Sequence, residues 1–370
     1  MQKKLTTRCF LTTRRRLITV SAPLAVALFV GIAASKTNAE QTPAGDQTPS
    51  LVMEGETHLA NVVQLTFGGE NAEAYFSTDA SELIFQSTKG RSCDAIYRMN
   101  SDGSKLRMIS SGKGVTTCPY IAPDGKSIIY ASTHLAGAGC PPKPDHSRGY
   151  VWALYKDYDI FAADPDGANL RRLTDTPGYD AEGVYSISGD KIIFTSVRDG
   201  DLELYTMNPD GTQQKRITNS PGYDGGAFFS YDGKKIVWRA SRPTGEELED
   251  YRRLLKEGLI RPSKLEIFIA NADGSNVKQL TANGKANFGP YWHPSGNYII
   301  FASNMNDPKG RNFDLFTVDI STLKIEQITF NETFDGFPMF SHDGKKLVFS
   351  SNRNNSAPHE TNVFIADWVQ

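Results

Sequence analysis

Val184-Tyr185-Ser186-Ile187-Ser188-Gly189-Asp190-Lys191-Ile192-Ile193-Phe194-Thr195-Ser196 is followed by Val197-Arg198-Asp199-Gly200 and by Leu202-Glu203-Leu204-Tyr205-Thr206-Met207. An apolar strand, a turn, a second strand ending in Ser, another turn and a third strand follow one another. Asn208-Pro209-Asp210-Gly211 then leads to a fourth short strand, Lys215-Arg216-Ile217-Thr218. The same order recurs along the chain, with first turns at Asp79-Ala80, Asp124-Gly125, Ser188-Gly189, Asp232-Gly233, Ser295-Gly296 and Asp343-Gly344. Taken on the second residue, the spacings are 45, 64, 44, 63 and 48. Four short strands repeated every forty-odd residues specify a β-propeller, because one blade cannot bury both its faces alone.

Three spacings agree and two are longer, which points to insertions rather than extra blades. The last copy ends one strand short, at Asn362-Val363-Phe364-Ile365-Ala366-Asp367. Its missing strand lies at the other end of the chain. Asn61-Val62-Val63-Gln64-Leu65-Thr66 matches the fourth strands Leu170–Thr174 and Val277–Thr281. The expected fold is all-β: a six-bladed propeller of four-stranded antiparallel blades over residues 58–370, closed by the N-terminal strand so that no edge is left open.

Residues 1–39 read as a signal peptide: a basic start through Arg14-Arg15-Arg16, an apolar run from Leu17 to Ala34, and small residues at Thr37-Asn38-Ala39. Thr13–Ile18 also fits a twin-arginine signal. Residues 40–57, rich in Gln, Thr, Pro and Gly, are expected to be a flexible lead-in. The chain has 40 basic and 42 acidic residues, and seven of the basic ones fall within 1–39. The exported remainder would carry 33 against 42, a net −9, which argues against nucleic acid and anionic membranes as partners. The expected product is a periplasmic or secreted monomer without a membrane span. Cys93, Cys118 and Cys140 map to one side of the ring, compatible with one bridge or with three buried thiols.

Phe340-Ser341-His342-Asp343-Gly344-Lys345-Lys346-Leu347-Val348-Phe349-Ser350-Ser351-Asn352-Arg353, Phe229–Val237, Met207–Gly211 and Ala270–Ser275 resemble the TolB-type propeller repeat. The resemblance covers residues 58–370 and implies a six-bladed periplasmic or secreted propeller, here without the α/β domain of the Tol–Pal component. The repeated turns are structural, since Asp-Gly supplies the positive φ that tight hairpins require.

Function is therefore sought where the copies differ. Insertions at 133–157 and 243–264 both follow a second strand, so both rise from one face, flanking blade 3. The second reads as a helix with the stripe Leu248, Tyr251, Leu254, Leu255 and Leu259, ending at Gly258. It fits either a rim cover or a partner-docking helix. At the channel mouth, Asn71, Thr116, Asp180, Asp224, Asn287 and Asp335 share one ring position, with Glu73 and Glu182 two residues further on. Asp180, Glu182, Asp224, Asn287 and Asp335 are the expected ligand-binding set, with Ca²⁺ as a possible occupant and no cofactor required. The competing explanation is that these side chains cap strand entries.

His134 and His146 could join Asp180 or Glu182 as ligands, whereas His293 and His342 are expected at the surface. No Gly-x-Ser-x-Gly elbow or His-Glu-x-x-His pair occurs. The pattern favours a binding module for a protein or polar small molecule over the alternative, a metal-assisted lyase or hydrolase acting on an oligosaccharide or peptide.

Overall fold

The computed structural model describes residues 50–147 and 149–370; the leader and most of the expected lead-in lie outside the described residues. Six four-stranded antiparallel sheets surround a central axis. Their inner strands are Asn71–Phe76, Thr116–Ile121, Asp180–Tyr185, Asp224–Phe229, Asn287–Trp292 and Asp335–Phe340. The second strands are apolar without alternation, as in Ile192-Ile193-Phe194, Ile236-Val237-Trp238 and Leu347-Val348-Phe349, all essentially solvent-free. A sheet sandwiched between two neighbours buries both faces, so period-two polarity has no place there.

The ring closes as expected. Leu59–Gln64 pairs with Asn362–Trp368 and supplies the fourth strand of blade 6. A recurring hydrogen bond shows how closely it imitates the other blades. A fourth-strand hydroxyl accepts a third-strand amide in every blade: Ser110 from Ile96, Thr174 from Ile160, Thr218 from Leu204, Thr281 from Ile267 and Thr329 from Leu315, at 2.8–2.9 Å. In blade 6 the acceptor is Thr66, 2.8 Å from Val363 N, although 297 positions separate them.

Residues ahead of 58 are already packed on the propeller. Glu56 is buried and takes two hydrogen bonds from Arg353, at 2.8 and 3.1 Å, and Arg353 also donates to Leu51 O. The last part of the expected flexible lead-in is thus docked against blade 6, because a buried guanidinium there needs its charge.

Both insertions leave the same end of their blades. The chain from Ser132 to Asp159 carries a short strand, Trp152–Ala153, and the chain from Ala240 to Glu266 carries a helix, Gly245–Lys256, followed by the strand Leu259–Ile260. These two strands pair antiparallel, Leu259 with Ala153 and Ile260 with Trp152. The insertions of blades 2 and 4 therefore join in a strap across blade 3. Leu259 belongs to the strap and not to the helix, since Gly258, at φ 70°, turns the chain first. Tyr251 and Leu254 bury the helix on the blade, and Arg253 and Lys256 occupy its last turn. A disulfide between Cys93 and Cys140 ties the blade 2 insertion to blade 1, while Cys118 is a free, buried thiol.

Candidate functional site

The ring of oxygen-bearing side chains exists, but it does not face the channel. Asp180, Asp224, Asn287 and Asp335 are at most 1% exposed, as are Asn71 and Thr116. The three Asp bond Arg side chains of their own blades, whereas Asn71, Thr116 and Asn287 donate to carbonyls of the preceding blade. Asp180 takes Arg198 Nη2 at 2.9 Å, and Asp224 takes Arg242 at 2.7 and 3.0 Å and Trp238 Nε1 at 2.6 Å. Asp335 takes Arg353 at 3.0 Å, and Asn287 donates to Leu265 O at 2.6 Å. The three guanidiniums also stack on blade aromatics, Arg198 on Tyr205, Arg242 on Phe268 and Arg353 on Phe349, at 4.8–5.0 Å.

The expectation of three mutually repelling carboxylates around the axis is therefore corrected. Each has its own cation, and the electrostatic case for Ca²⁺ at these positions does not hold. Burial is costly enough that the Asp224 carboxyl is pushed up to about 7 despite Arg242 beside it. Among the described residues, no group of three or more His, Cys, Asp or Glu is gathered in metal-binding geometry. His134 bonds Ser132 Oγ at 2.8 Å and packs on Phe161, and His146 stacks on Tyr150. His293 is not a surface residue: it is 3% exposed and stacked on Tyr298, which pushes its imidazole down to about 4 by desolvation.

The channel is lined two residues further along. Every inner strand carries a bulge there, breaking register with the second strand between Ala72 and Tyr75, Thr117 and Tyr120, Ala181 and Val184, Gly225 and Phe228, Phe288 and Tyr291, and Gly336 and Met339. The bulged residue is left-handed in all six blades, with φ of 55° at Glu73, 51° at Cys118, 58° at Glu182, 60° at Gly226, 52° at Gly289 and 52° at Phe337. All six line one cavity on the axis. Four of them carry side chains, each at a cost in backbone strain. Below this ring Tyr75, Tyr120, Phe228 and Tyr291 close the channel with ring centroids 5.0–6.4 Å apart, so the mouth is a cup with an aromatic floor.

Arg239, from the second strand of blade 4, reaches into the cup through the space left by Gly226. A Cβ at Gly226 would lie 1.9 Å from Arg239 Nη1. Arg239 pairs with Glu182, whose Oε2 also takes Thr195 Oγ1 at 2.7 Å and Gly226 N at 2.9 Å. Of the expected set, only Glu182 lines the channel. Trp152 of the strap lies over the same guanidinium at 5.6 Å and against Phe288 at 5.2 Å, placing the strap above the cup.

Beside the strap, the two insertions and the rim of blade 3 enclose a cleft of about 880 Å³. Leu154, Tyr155, Tyr179, Val197, Leu255 and Leu259 form its walls. Lys143, Lys156, Arg252 and Lys256 surround it, against Glu257.

No family model matches the chain. Two curated relatives do, over part of their length. A TolB homologue of Chlorobium chlorochromatii is 26% identical over 144 residues, 33% of this chain and 32% of that protein. One of Chlorobium luteolum is 23% identical over 147 residues, 34% of each. The chain spans about a third of the length of the curated relatives it matches. Among solved structures, a putative TolB from Agrobacterium tumefaciens aligns with a TM-score of 0.56 at 17% identity, over 84% of this chain and 97% of that one.

This chain is TolB-like in sequence and in fold. TolB from Acinetobacter baumannii aligns with a TM-score of 0.53 at 20% identity, over 82% of this chain and 65% of its own. An oligogalacturonate lyase in complex with manganese shares the fold at 12% identity and a TM-score of 0.50, over 84% and 93% of the two chains. The fold is thus shared with TolB proteins and with a lyase, and fold does not choose a function between them. Among the described residues no helix is long and apolar enough to cross a membrane.

Proposed function

We propose that this TolB-like propeller is a periplasmic or secreted binding module that recognises a protein segment or a polar small molecule through its insertion-bearing face. One observation carries the reading. Two insertions from non-adjacent blades pair through Leu259–Ile260 and Trp152–Ala153, and the cleft they build with blade 3 measures about 880 Å³. That is the size of sites that enclose a small ligand or a few residues of peptide. Strand pairing on one side and the Cys93–Cys140 bridge on the other hold these loops, which lowers the ordering cost of binding. The bridge also suits the oxidising compartment that the leader in residues 1–39 implies.

The cationic rim favours acidic ligands, and calorimetric titration with defined acidic and neutral oligosaccharides and peptides tests this. Lys143→Glu combined with Lys256→Glu should abolish binding of an acidic ligand and leave the melting temperature close to that of the parent, since both side chains are exposed. Unchanged affinity in that variant would place recognition elsewhere. Adding oligogalacturonate to the panel separates the enzyme reading, which requires turnover and not merely heat of binding.

A further inference from the structure

The cup on the axis has a charge imbalance that its own side chains leave open. Glu182 is fully engaged by Arg239, Thr195 Oγ1, Gly226 N and, at 3.4 Å, Tyr223 OH. Glu73 is not. Its stem keeps some surface toward the channel, but Oε2 is out of contact with solvent and has no hydrogen-bond partner among the described residues. The one cation at hand, Arg239, is already committed to Glu182. Two carboxylates and one guanidinium leave the cup one negative charge in excess when Glu73 is ionised. A buried acceptor atom without a hydrogen bond, whose nearest cation is held by another carboxylate, is expensive, and native interiors rarely tolerate one without a purpose.

We propose that the cup binds a single small monocationic group, an ammonium head or an alkali ion, at Glu73 beneath the Trp152 strap. Size supports it: the cavity holds about 20 Å³, room for one water-sized group. The chemistry of the walls supports it as well. Gly226 and Gly289 withdraw two of the six ring positions, and the aromatic side chains of Tyr75 and Phe337 are among the lining. An anion entering from the mouth would meet two carboxylates. A divalent ion would need several more oxygens than one free carboxylate supplies.

The proton is the competitor at this site. Burial, together with the Glu182 charge, pushes the Glu73 carboxyl up to about 7, while a Cys118 thiol hydrogen bond and the Arg239 charge hold it back. Asp94, itself pushed up to about 6 by burial, adds to the rise, and the Tyr75 phenol is driven well above its usual range. These groups come from blade 1 itself and from blades 2, 3 and 4; blades 5 and 6 face Glu73 with Gly289 and Phe337, which do not titrate. A bound cation therefore displaces a proton near neutral pH, and occupancy should rise as pH passes upward through about 7.

The test is thermal melting of the mature protein at constant ionic strength, with tetramethylammonium chloride as the reference salt because that cation is too large for the cavity. At pH 8, ammonium, methylammonium, sodium or potassium chloride is substituted for it in turn. At least one small cation should raise the melting temperature saturably. A response to the ammonium ions alone identifies an amine head, and a response to sodium or potassium identifies an alkali ion. The gain should vanish at pH 5.5 and in Glu73→Gln. An equal gain in Glu73→Gln, an equal gain at pH 5.5, or no gain over tetramethylammonium at pH 8 would overturn the proposal. The pH comparison on the parent decides the matter even if the variant folds poorly.

Discussion

Two rings of six residues, two positions apart on the same strands, behave in opposite ways. The first ring, Asn71, Thr116, Asp180, Asp224, Asn287 and Asp335, bears an oxygen throughout, is buried in every blade and is satisfied by its own blade or the one before it. The second, Glu73, Cys118, Glu182, Gly226, Gly289 and Phe337, is uniform only in its left-handed backbone and differs in chemistry from blade to blade. The first position solves a problem that every blade shares, the satisfaction of backbone and charge where the inner strand begins. The second faces the axis, where all six blades meet one cavity, so repetition there has no structural purpose. In a cyclic repeat, chemical uniformity marks the fold and chemical variety marks the site.

The harshest test of the first half of that contrast removes the strand that makes six blades equivalent. Deleting residues 58–67 withdraws Leu59–Gln64 and Thr66 from blade 6 and leaves one edge of Asn362–Trp368 unpaired. The whole ring should then lose its cooperative transition at the parent's temperature, measured by calorimetry. A variant melting like the parent would show that closure contributes nothing. Next in size is Arg353→Met. The guanidinium is 1% exposed between Glu56 and Asp335, and its loss leaves two buried carboxylates without a cation. A destabilisation of about 3–5 kcal/mol in denaturant unfolding is expected. A loss well under 1 kcal/mol would mean that the first ring is not held by these pairs.

The second ring can be probed at its glycines, with a smaller effect. Gly226→Ala and Gly289→Ala each place a Cβ on a left-handed residue, at roughly 1–2 kcal/mol. Only Gly226→Ala also collides with Arg239, whereas the nearest atom to a Cβ at Gly289 is Phe337 Cα at 3.4 Å. Gly226→Ala should therefore be the more destabilising of the two and should loosen the Arg239–Glu182 pair. Equal losses would mean that Arg239 does not depend on the space at Gly226.

Most of the fold was legible because its determinants are local. Apolar triplets mark strands buried on both faces, Asp-Gly marks the hairpins, and the sequence of the strand ending at Thr66 announces the closing strand. The helix of blade 4 showed its stripe, though Leu259 continued that stripe into the strap. The site was legible only in part. Asp180, Asp224 and Asp335 each have an Arg eighteen positions on, while Asn71, Thr116 and Asn287 have Lys89, His134 and Met305 there. That matched variation between copies was readable, and it would have paired the carboxylates off and directed attention to Glu73 and Glu182. The bulge itself was not readable, because Glu, Cys and Phe give no signal of a left-handed backbone. Nor was Arg239, whose reach depends on a glycine on a neighbouring strand.

A pH-dependent difference is the most direct measure of what the second ring does. Glu73 has a folded value near 7 against an ordinary 4.5, so the folded protein binds this proton more tightly than the unfolded chain does. A raised carboxyl favours folding while it is protonated, and that advantage is lost as pH climbs from about 4.5 to about 7. Glu73→Gln keeps the shape and removes the titration. In tetramethylammonium chloride, parent and variant should therefore be close at pH 4, and the variant should be the more stable at pH 8, by up to about 3 kcal/mol. Subtracting the two profiles cancels distant titrations such as that of Asp224, leaving Glu73 and the groups that touch it. A variant less stable than the parent at pH 8 would show that ionised Glu73 already has a partner within the fold, and the second ring would then be as structural as the first.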